Sequence, residues 1–378
     1  MSAVPTRFPL LLLLLPAWLF AATPQPPTLE ARAWLLQDMH SGAELASRNA
    51  DQRLEPASLT KIMTAYVVFR ELAAGHISLD DQVLVSKKAW KTPGSRMFIE
   101  VNKKVRLEDL LQGMIVQSGN DASVALAEHV AGTESAFAEL MNENAYRLGM
   151  LNSHFTNATG LPDKNHYVTA RDVAKVTSAL IREFPQYYHW YSQREFTYNG
   201  ITQQNRNLLL GRDASVDGVK TGHTDSAGYC LVSSAKRGDM RLISVVMGTK
   251  GKLARADESQ KLLNFGFRFY ETRKLYEAGQ PIAAPRVWKG SRETLPLGLE
   301  EALYLTVPRG RFSDLKADLN LHKTPIAPIR KGARVGSLSI TLDGELIKET
   351  PVVALAEVDE GNLWRVLVDS AIMWWNND

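Results

Sequence analysis

The sequence predicts an α+β fold, with helices packed on an antiparallel sheet, followed by a small all-β domain and a C-terminal amphipathic helix. Three observations carry this prediction. Between residues 31 and 273, strand-like apolar runs stand at the two ends and helical periodicity fills the middle, so strands and helices are segregated rather than alternating. From residue 276 to about 360 the helical period stops, and short alternating runs take over. The last segment, 363–375, returns to a helical pattern that is apolar around most of its circumference.

At the N-terminus, Arg7 precedes an apolar run from Phe8 to Phe20, interrupted by Pro16 and followed by Ala21-Ala22-Thr23 and a proline-rich stretch. This reads as a secretory signal peptide over residues 1–22, cut near Ala22. Its core of roughly 13 apolar residues is short beside the 20 or so that span a bilayer. An opening strand is expected over 33–39. A helix is expected to start near Ser58, where the turn-like Glu55-Pro56-Ala57 gives way to Ile62, Met63, Ala65, Tyr66, Val67, Val68 and Phe69. Helices follow at 107–115, 122–130 and 135–148, a loop at 154–172, and closing strands at 217–220, 228–235 and 241–247, with Arg237-Gly238-Asp239 as the turn between the last two. In the all-β part, residues 303–307, 315–321 and 338–342 alternate, and Asp343-Gly344 marks a hairpin turn. In the final helix Arg365, Asp369 and Asn376 share one narrow stripe, and adjacent Trp374 and Trp375 suit a membrane surface. Arg365 is its one basic residue, so apolar insertion is expected to dominate over attraction to anionic lipid.

Composition narrows the chemistry. A chain of 378 residues with 45% apolar content can bury a sizeable core and hold more than one domain. Its formal net charge of +3 and lack of a Lys/Arg cluster argue against nucleic acid as a partner. Cys230 is the single cysteine, which excludes an internal disulfide, and its apolar neighbours mark it as a packing residue. No Cys/His set has zinc spacing and no glycine-rich phosphate loop occurs, so neither a metal nor a nucleotide cofactor is expected.

Ser58-Leu59-Thr60-Lys61 is the segment that carries chemistry. On a helix, residues three apart share a face, so the Ser58 hydroxyl and the Lys61 amine lie side by side. A serine hydroxyl needs a neighbouring base to become a nucleophile, and a lysine serves when burial or nearby cations depress its pKa. Two further motifs, Ser118-Gly119-Asn120 and Lys220-Thr221-Gly222, follow in the order and at the wide separations used by penicilloyl serine transferases.

With these motifs, and with Gln117-Ser118-Gly119-Asn120-Asp121-Ala122 and Val216-Asp217-Gly218-Val219-Lys220-Thr221-Gly222-His223-Thr224, the chain resembles the D-alanyl-D-alanine carboxypeptidases of the penicillin-binding protein 5 and 6 type from about Thr28 to its C-terminus. The resemblance implies a catalytic domain over 28–275, a β-rich domain over 276–360 and a membrane-associating helix over 361–378, on the periplasmic face of the inner membrane. It implies Ser58, Lys61 and Ser118 as catalytic residues, and Asn120, Arg206, Lys220, Thr221, Gly222, His223 and Thr224 as substrate-binding residues. The implied substrates are peptidoglycan stem peptides ending in D-Ala-D-Ala, with β-lactams as covalent inhibitors. Two alternatives share the chemistry, a D,D-endopeptidase and a β-lactamase, and a third is a peptidoglycan-binding protein with an inactive site. The middle motif reads Ser-Gly-Asn instead of Ser-Asp-Asn, and no Glu-x-x-Leu-Asn falls between Asn120 and Lys220, which separates the chain from class A β-lactamases.

Overall fold

A computed structural model describes residues 25–375, so the signal peptide expected over 1–22 and Asn376 of the helical stripe lie outside the described residues. Five strands form the central sheet: β1 (Ala33–Asp38), β2 (Glu44–Arg48), β3 (Val216–Thr224), β4 (Gly228–Arg237) and β5 (Met240–Thr249). Their order is β2-β1-β5-β4-β3, antiparallel throughout. Between β2 and β3 the chain builds the helical layer: α1 (Thr60–Ala73), α2 (Leu107–Val116), α3 (Asn120–Ala131), α4 (Glu134–Arg147) and α5 (Ala170–Glu183). After β5, α6 (Lys252–Phe269) crosses to the other face.

The period-2 alternation of the strands supplies both layers. Val219, Val232, Ile243 and Val245 join Ile62, Phe69, Leu111, Leu126 and Leu180 in one core. Leu36, Leu231, Leu242 and Val246 face Leu262 and Leu263 of α6 in a second. Cys230 is buried in the first core, as its sequence context implies.

The closing strand expected over 217–220 runs on to Thr224, and α5, α6 and β2 were not anticipated. For α5 a local signal existed: Thr169 caps the helix by accepting a hydrogen bond from the Asp172 N–H at 3.1 Å, in a Thr-x-x-Asp arrangement that opens an apolar run.

Beyond α6, β6 (Tyr270–Tyr276) pairs with β7 (Leu303–Pro308), and β8 (Leu315–Leu321), β9 (Arg334–Leu342) and β10 (Glu345–Ala354) form a meander with Leu297–Gly298 at its edge. Asp343 and Gly344 make the tip of the β9–β10 hairpin, both at positive φ, the geometry favoured by an Asp-Gly turn. A buried polar hub joins this part to the sheet: Thr272 Oγ1 donates to Asp38 Oδ2 at 2.8 Å and lies 2.8 Å from Thr306 Oγ1, which lies 2.6 Å from Ser41 Oγ.

The last helix, α7 (Leu363–Trp375), docks through its polar stripe rather than through its apolar surface. Asp369 is only 3% exposed, accepting from Arg286 Nη2 at 3.0 Å and from the Lys289 N–H at 2.6 Å. Trp364 and Trp375 are 75% and 77% exposed, and Leu363, Leu367 and Trp374 are exposed beside them. Among the described residues, no helix is long and apolar enough to cross a membrane.

Candidate active site

A cleft of about 720 Å³ opens where α1, α3, β3 and the 157–161 loop meet, and Ser58 sits on its floor. Ser58 belongs to a 3-10 turn, Ala57–Leu59, that feeds directly into α1. Because α1 has no side-chain N-cap, the serine hydroxyl is not spent on the helix terminus. It lies 3.0 Å from Lys61 Nζ. Two glycines let the walls reach this turn. Gly160, at φ +81°, brings its α-carbon so close to Ala57 that a β-carbon would overlap the Ala57 carbonyl oxygen. A β-carbon on Gly222 would stand 3.0 Å from the Pro56 carbonyl oxygen and 3.3 Å from the Ser58 nitrogen, so β3 passes the nucleophile at backbone contact distance.

Lys61 is 1% exposed and donates to Asn120 Oδ1 and to the Thr159 carbonyl, each at 2.6 Å. Burial, with a smaller contribution from the Arg206 charge, lowers its pKa to about 7. A neutral amine with a lone pair is therefore well populated at neutral pH, as a general base requires. Arg206 supplies the cationic contribution to Lys61, and the Lys61 and Lys220 amines also repel each other. Lys220 is itself buried, and burial, Lys61, Arg206 and Arg255 all push its pKa well down. Its amine stays 3.2 Å from the Thr221 carbonyl.

Asn120 begins α3, and its amide is fixed at both ends, since Nδ2 donates to the Pro93 carbonyl at 2.7 Å while Oδ1 accepts from Lys61. Next to it stands the buried Asp121. Its carboxylate accepts from the N–H groups of Met97 at 2.8 Å and Phe98 at 2.9 Å and so pins the cleft's 94–99 lip. Ser118 stands at φ +69°, an arrangement that costs a non-glycine residue about 1–3 kcal/mol. Its hydroxyl is buried and has no hydrogen-bond partner among the described residues, while the residue lines the cleft. Glycine at position 118 relieves that strain, so Ser118→Gly is expected to gain about 1 kcal/mol of stability in urea unfolding and to lose most of the enzymatic turnover of the native chain.

On the opposite wall, Thr221, Gly222, His223 and Thr224 all line the cleft. The Thr221 hydroxyl has no partner among the described residues, whereas Thr224 Oγ1 accepts from the Ala227 N–H at 3.0 Å and is committed to its own turn. His223 stacks on Tyr229 with ring centres 3.9 Å apart. Arg206 lines the mouth of the cleft, and partial enclosure lowers its pKa. Arg255 on α6, absent from the sequence-derived candidates, is 5% exposed, donates to the Gly222 carbonyl at 3.1 Å and has its pKa lowered by burial to about 10. All ten candidate residues thus converge, with Lys61 and Lys220 behind the lining surface.

His166 was also not anticipated. Its Nδ1 accepts from the Thr156 N–H at 3.2 Å, which leaves the proton on Nε2 to donate to Thr60 Oγ1 at 2.9 Å. It thereby ties the loop that carries Thr159 to the first turn of α1. Burial lowers its pKa to about 4. Between that value and the usual 6.5 an unfolded chain binds a proton that the native one lacks, so stability falls as pH drops through this window. His166→Gln, which cannot titrate, is expected to flatten that fall, by at most about 1.4 kcal/mol per pH unit, in urea unfolding compared at pH 7 and pH 5.

A serine hydrogen-bonded to a buried lysine whose pKa lies near 7, in a cleft that no carboxylate lines but several cations approach, has the makings of a serine hydrolase with a lysine beside its nucleophile. Residues 20–251 match the family model described as D-alanyl-D-alanine carboxypeptidase, residues 270–360 match that of the penicillin-binding protein 5 C-terminal domain, and the chain belongs to this carboxypeptidase family. It is 44% identical to D-alanyl-D-alanine carboxypeptidase DacA of Escherichia coli K12 over 354 residues, covering 92% of this chain and 88% of the relative. With DacC of the same organism it shares 45% over 364 residues, 94% and 91% of the two chains. The crystal structure of penicillin-binding protein 5 from Haemophilus influenzae superposes with a TM-score of 0.86 at 43% identity, covering 89% of this chain and all of that one. Penicillin-binding protein D2 from Listeria monocytogenes, solved with ampicillin bound, has a TM-score of 0.59 at 31% identity, over 63% of this chain and 98% of its own.

Proposed function

We propose that the chain is a serine D-alanyl-D-alanine carboxypeptidase that removes the terminal D-alanine from peptidoglycan stem peptides through an acyl-enzyme on Ser58. The observation that carries this reading is the 3.0 Å contact between Ser58 and a lysine whose pKa burial brings to about 7. The substrate's terminal carboxylate settles between Arg206 and the free Thr221 hydroxyl, in front of the buried Lys220, and its negative charge favours the proton that burial disfavours on that amine. Lys61 takes the Ser58 proton as Oγ attacks the penultimate D-alanine carbonyl, with the Ser58 and His223 N–H groups receiving the oxyanion. Ser118 passes the proton to the leaving amine, D-alanine departs, and the ester on Ser58 remains. Water then attacks that ester, and the same lysine is the base for this step, since no aspartate or glutamate lines the cleft. Asn120 holds the lysine throughout.

A β-lactam acylates Ser58 by the same first step, but its ring-opened leaving group stays attached. The lack of a lining carboxylate to activate water favours a persistent adduct over β-lactamase turnover. The ampicillin complex of the Listeria relative supports this. We place residues 1–22 as a signal peptide, divide the remainder into domains 28–275 and 276–360, and assign 361–378 as an amphipathic helix on the periplasmic face of the inner membrane; the exposed tryptophans of α7 support that placement.

A substrate panel tests the reading. D-alanine release from diacetyl-Lys-D-Ala-D-Ala, with little cleavage of cross-linked dimers and no catalytic turnover of penicillin, is the expected pattern. Preferential cleavage of dimers establishes the endopeptidase instead.

A further inference from the structure

We infer that the β-rich domain holds a binding site for anionic phospholipid headgroups beside the root of α7, centred on Lys323, Arg330 and Arg334. This rests on the reading of α7 as a membrane-associating helix and supplies what that helix lacks, because Arg365 is its one basic residue.

A groove of about 470 Å³ runs along the 322–335 segment, and its rim carries Lys323, Arg330 and Arg334, with His322 and Ile326 between them. The three cations are exposed and, among the described residues, make no ion pair; Lys331, also exposed, adjoins them. Glu357, Asp359 and Glu360, on the segment bridged to Ile329 through Val358, offset part of this charge without outnumbering Lys323, Arg330, Lys331 and Arg334.

The groove is tied to α7 by a short path of backbone hydrogen bonds. The Trp288 N–H donates to the Pro325 carbonyl and the Ala327 N–H to the Trp288 carbonyl, each at 2.9 Å. The next residue, Lys289, accepts from the Gly361 N–H at 2.7 Å and donates its own N–H to Asp369 at 2.6 Å. One peptide unit therefore separates the segment that forms the groove from the residue that clamps the helix. Ile326, 42% exposed, adds an apolar side chain next to the cations, and the exposed Leu and Trp residues of α7 lie beyond the clamp. Cations beside an exposed isoleucine, and tied through one peptide unit to the clamp of a helix with exposed apolar side chains, suit a bilayer interface, where phosphates lie above acyl chains, better than they suit a free anion.

The test uses the full chain and co-sedimentation with vesicles of phosphatidylcholine alone or mixed with phosphatidylglycerol. Each basic residue near an anionic surface contributes about fivefold to binding, so Lys323→Gln/Arg330→Gln/Arg334→Gln is expected to weaken binding to the mixed vesicles by of order 100-fold. Binding to pure phosphatidylcholine and hydrolysis of a soluble peptide stay unchanged. If the triple variant keeps the native preference for the mixed vesicles, or the native chain has none, the groove is not a headgroup site. Saturable binding of inorganic phosphate to the native chain, lost in the triple variant without change in vesicle binding, assigns a small-anion site and also overturns the proposal. Failure of the helix reading is distinguishable: Trp374→Ala/Trp375→Ala then leaves binding to both vesicles at native strength, while the anionic preference still reports on the groove.

Discussion

Alanine in place of Ser58 abolishes D-alanine release and covalent trapping of penicillin together, with a fall in kcat of about 10⁶-fold, the scale seen when a serine nucleophile is removed. Both losses share one cause. The hydroxyl is the single nucleophile that Lys61 contacts in the cleft, and the other partners of the amine, the Asn120 and Thr159 oxygens, cannot attack a carbonyl. The truncation costs little structurally, because the Ser58 hydroxyl caps no helix and α1 starts without it. The variant is therefore expected to unfold in urea at close to the native midpoint, which separates lost chemistry from lost fold. Intact mass after incubation with penicillin G checks the prediction: the native chain gains one adduct and Ser58→Ala gains none. An adduct on the variant would place the nucleophile elsewhere.

Much of this site was legible in the chain because its parts are short and local. Ser58 and Lys61 are one helical turn apart, so their contact follows from spacing, and β3 presents Thr221 to Thr224 as one continuous wall with Lys220 just behind it. The sheet was legible for a similar reason, since β4 and β5 are joined by a tight turn and each carries a short apolar run, Tyr229 to Val232 and Val245 to Met247. The elements that escaped are those whose evidence is tertiary. The Thr159 carbonyl that accepts from Lys61 is a backbone atom and has no residue signature. Arg255 reaches the Gly222 carbonyl only because α6 lies on the far side of the sheet from the other helices. His166 acts through Thr60, more than a hundred positions away, and nothing in its neighbours foretells that pairing. The stripe of Arg365 and Asp369 could be read, but which way it faces depends on Arg286 and Lys289 of the β-rich domain.

Removing the base is expected to cost somewhat less than removing the nucleophile, about 10²- to 10⁴-fold for Lys61→Ala, the range for general-base catalysis. Its pH signature is more diagnostic than its size. The folded pKa of Lys61 is about 7, so the fraction of neutral amine, and with it the rate of Ser58 acylation, falls about tenfold per unit as pH drops below that value and levels off above it. Lys61→Arg keeps a buried cation but cannot lose its proton in this range, so it is expected to stay inactive from pH 5 to 9, without an alkaline rise. Arg206 gives an independent handle. Its charge is the largest coulombic contribution to the depressed pKa, so Arg206→Gln should raise that pKa and move the acid limb of acylation toward higher pH. The same substitution removes a cation from the carboxylate's path and raises KM for the peptide. Penicillin acylation rates measured across pH for the native chain, Lys61→Arg and Arg206→Gln check the argument. An acid limb unmoved by Arg206→Gln would mean that the group titrating near 7 is not Lys61, and the base would have to be sought in another part of the cleft.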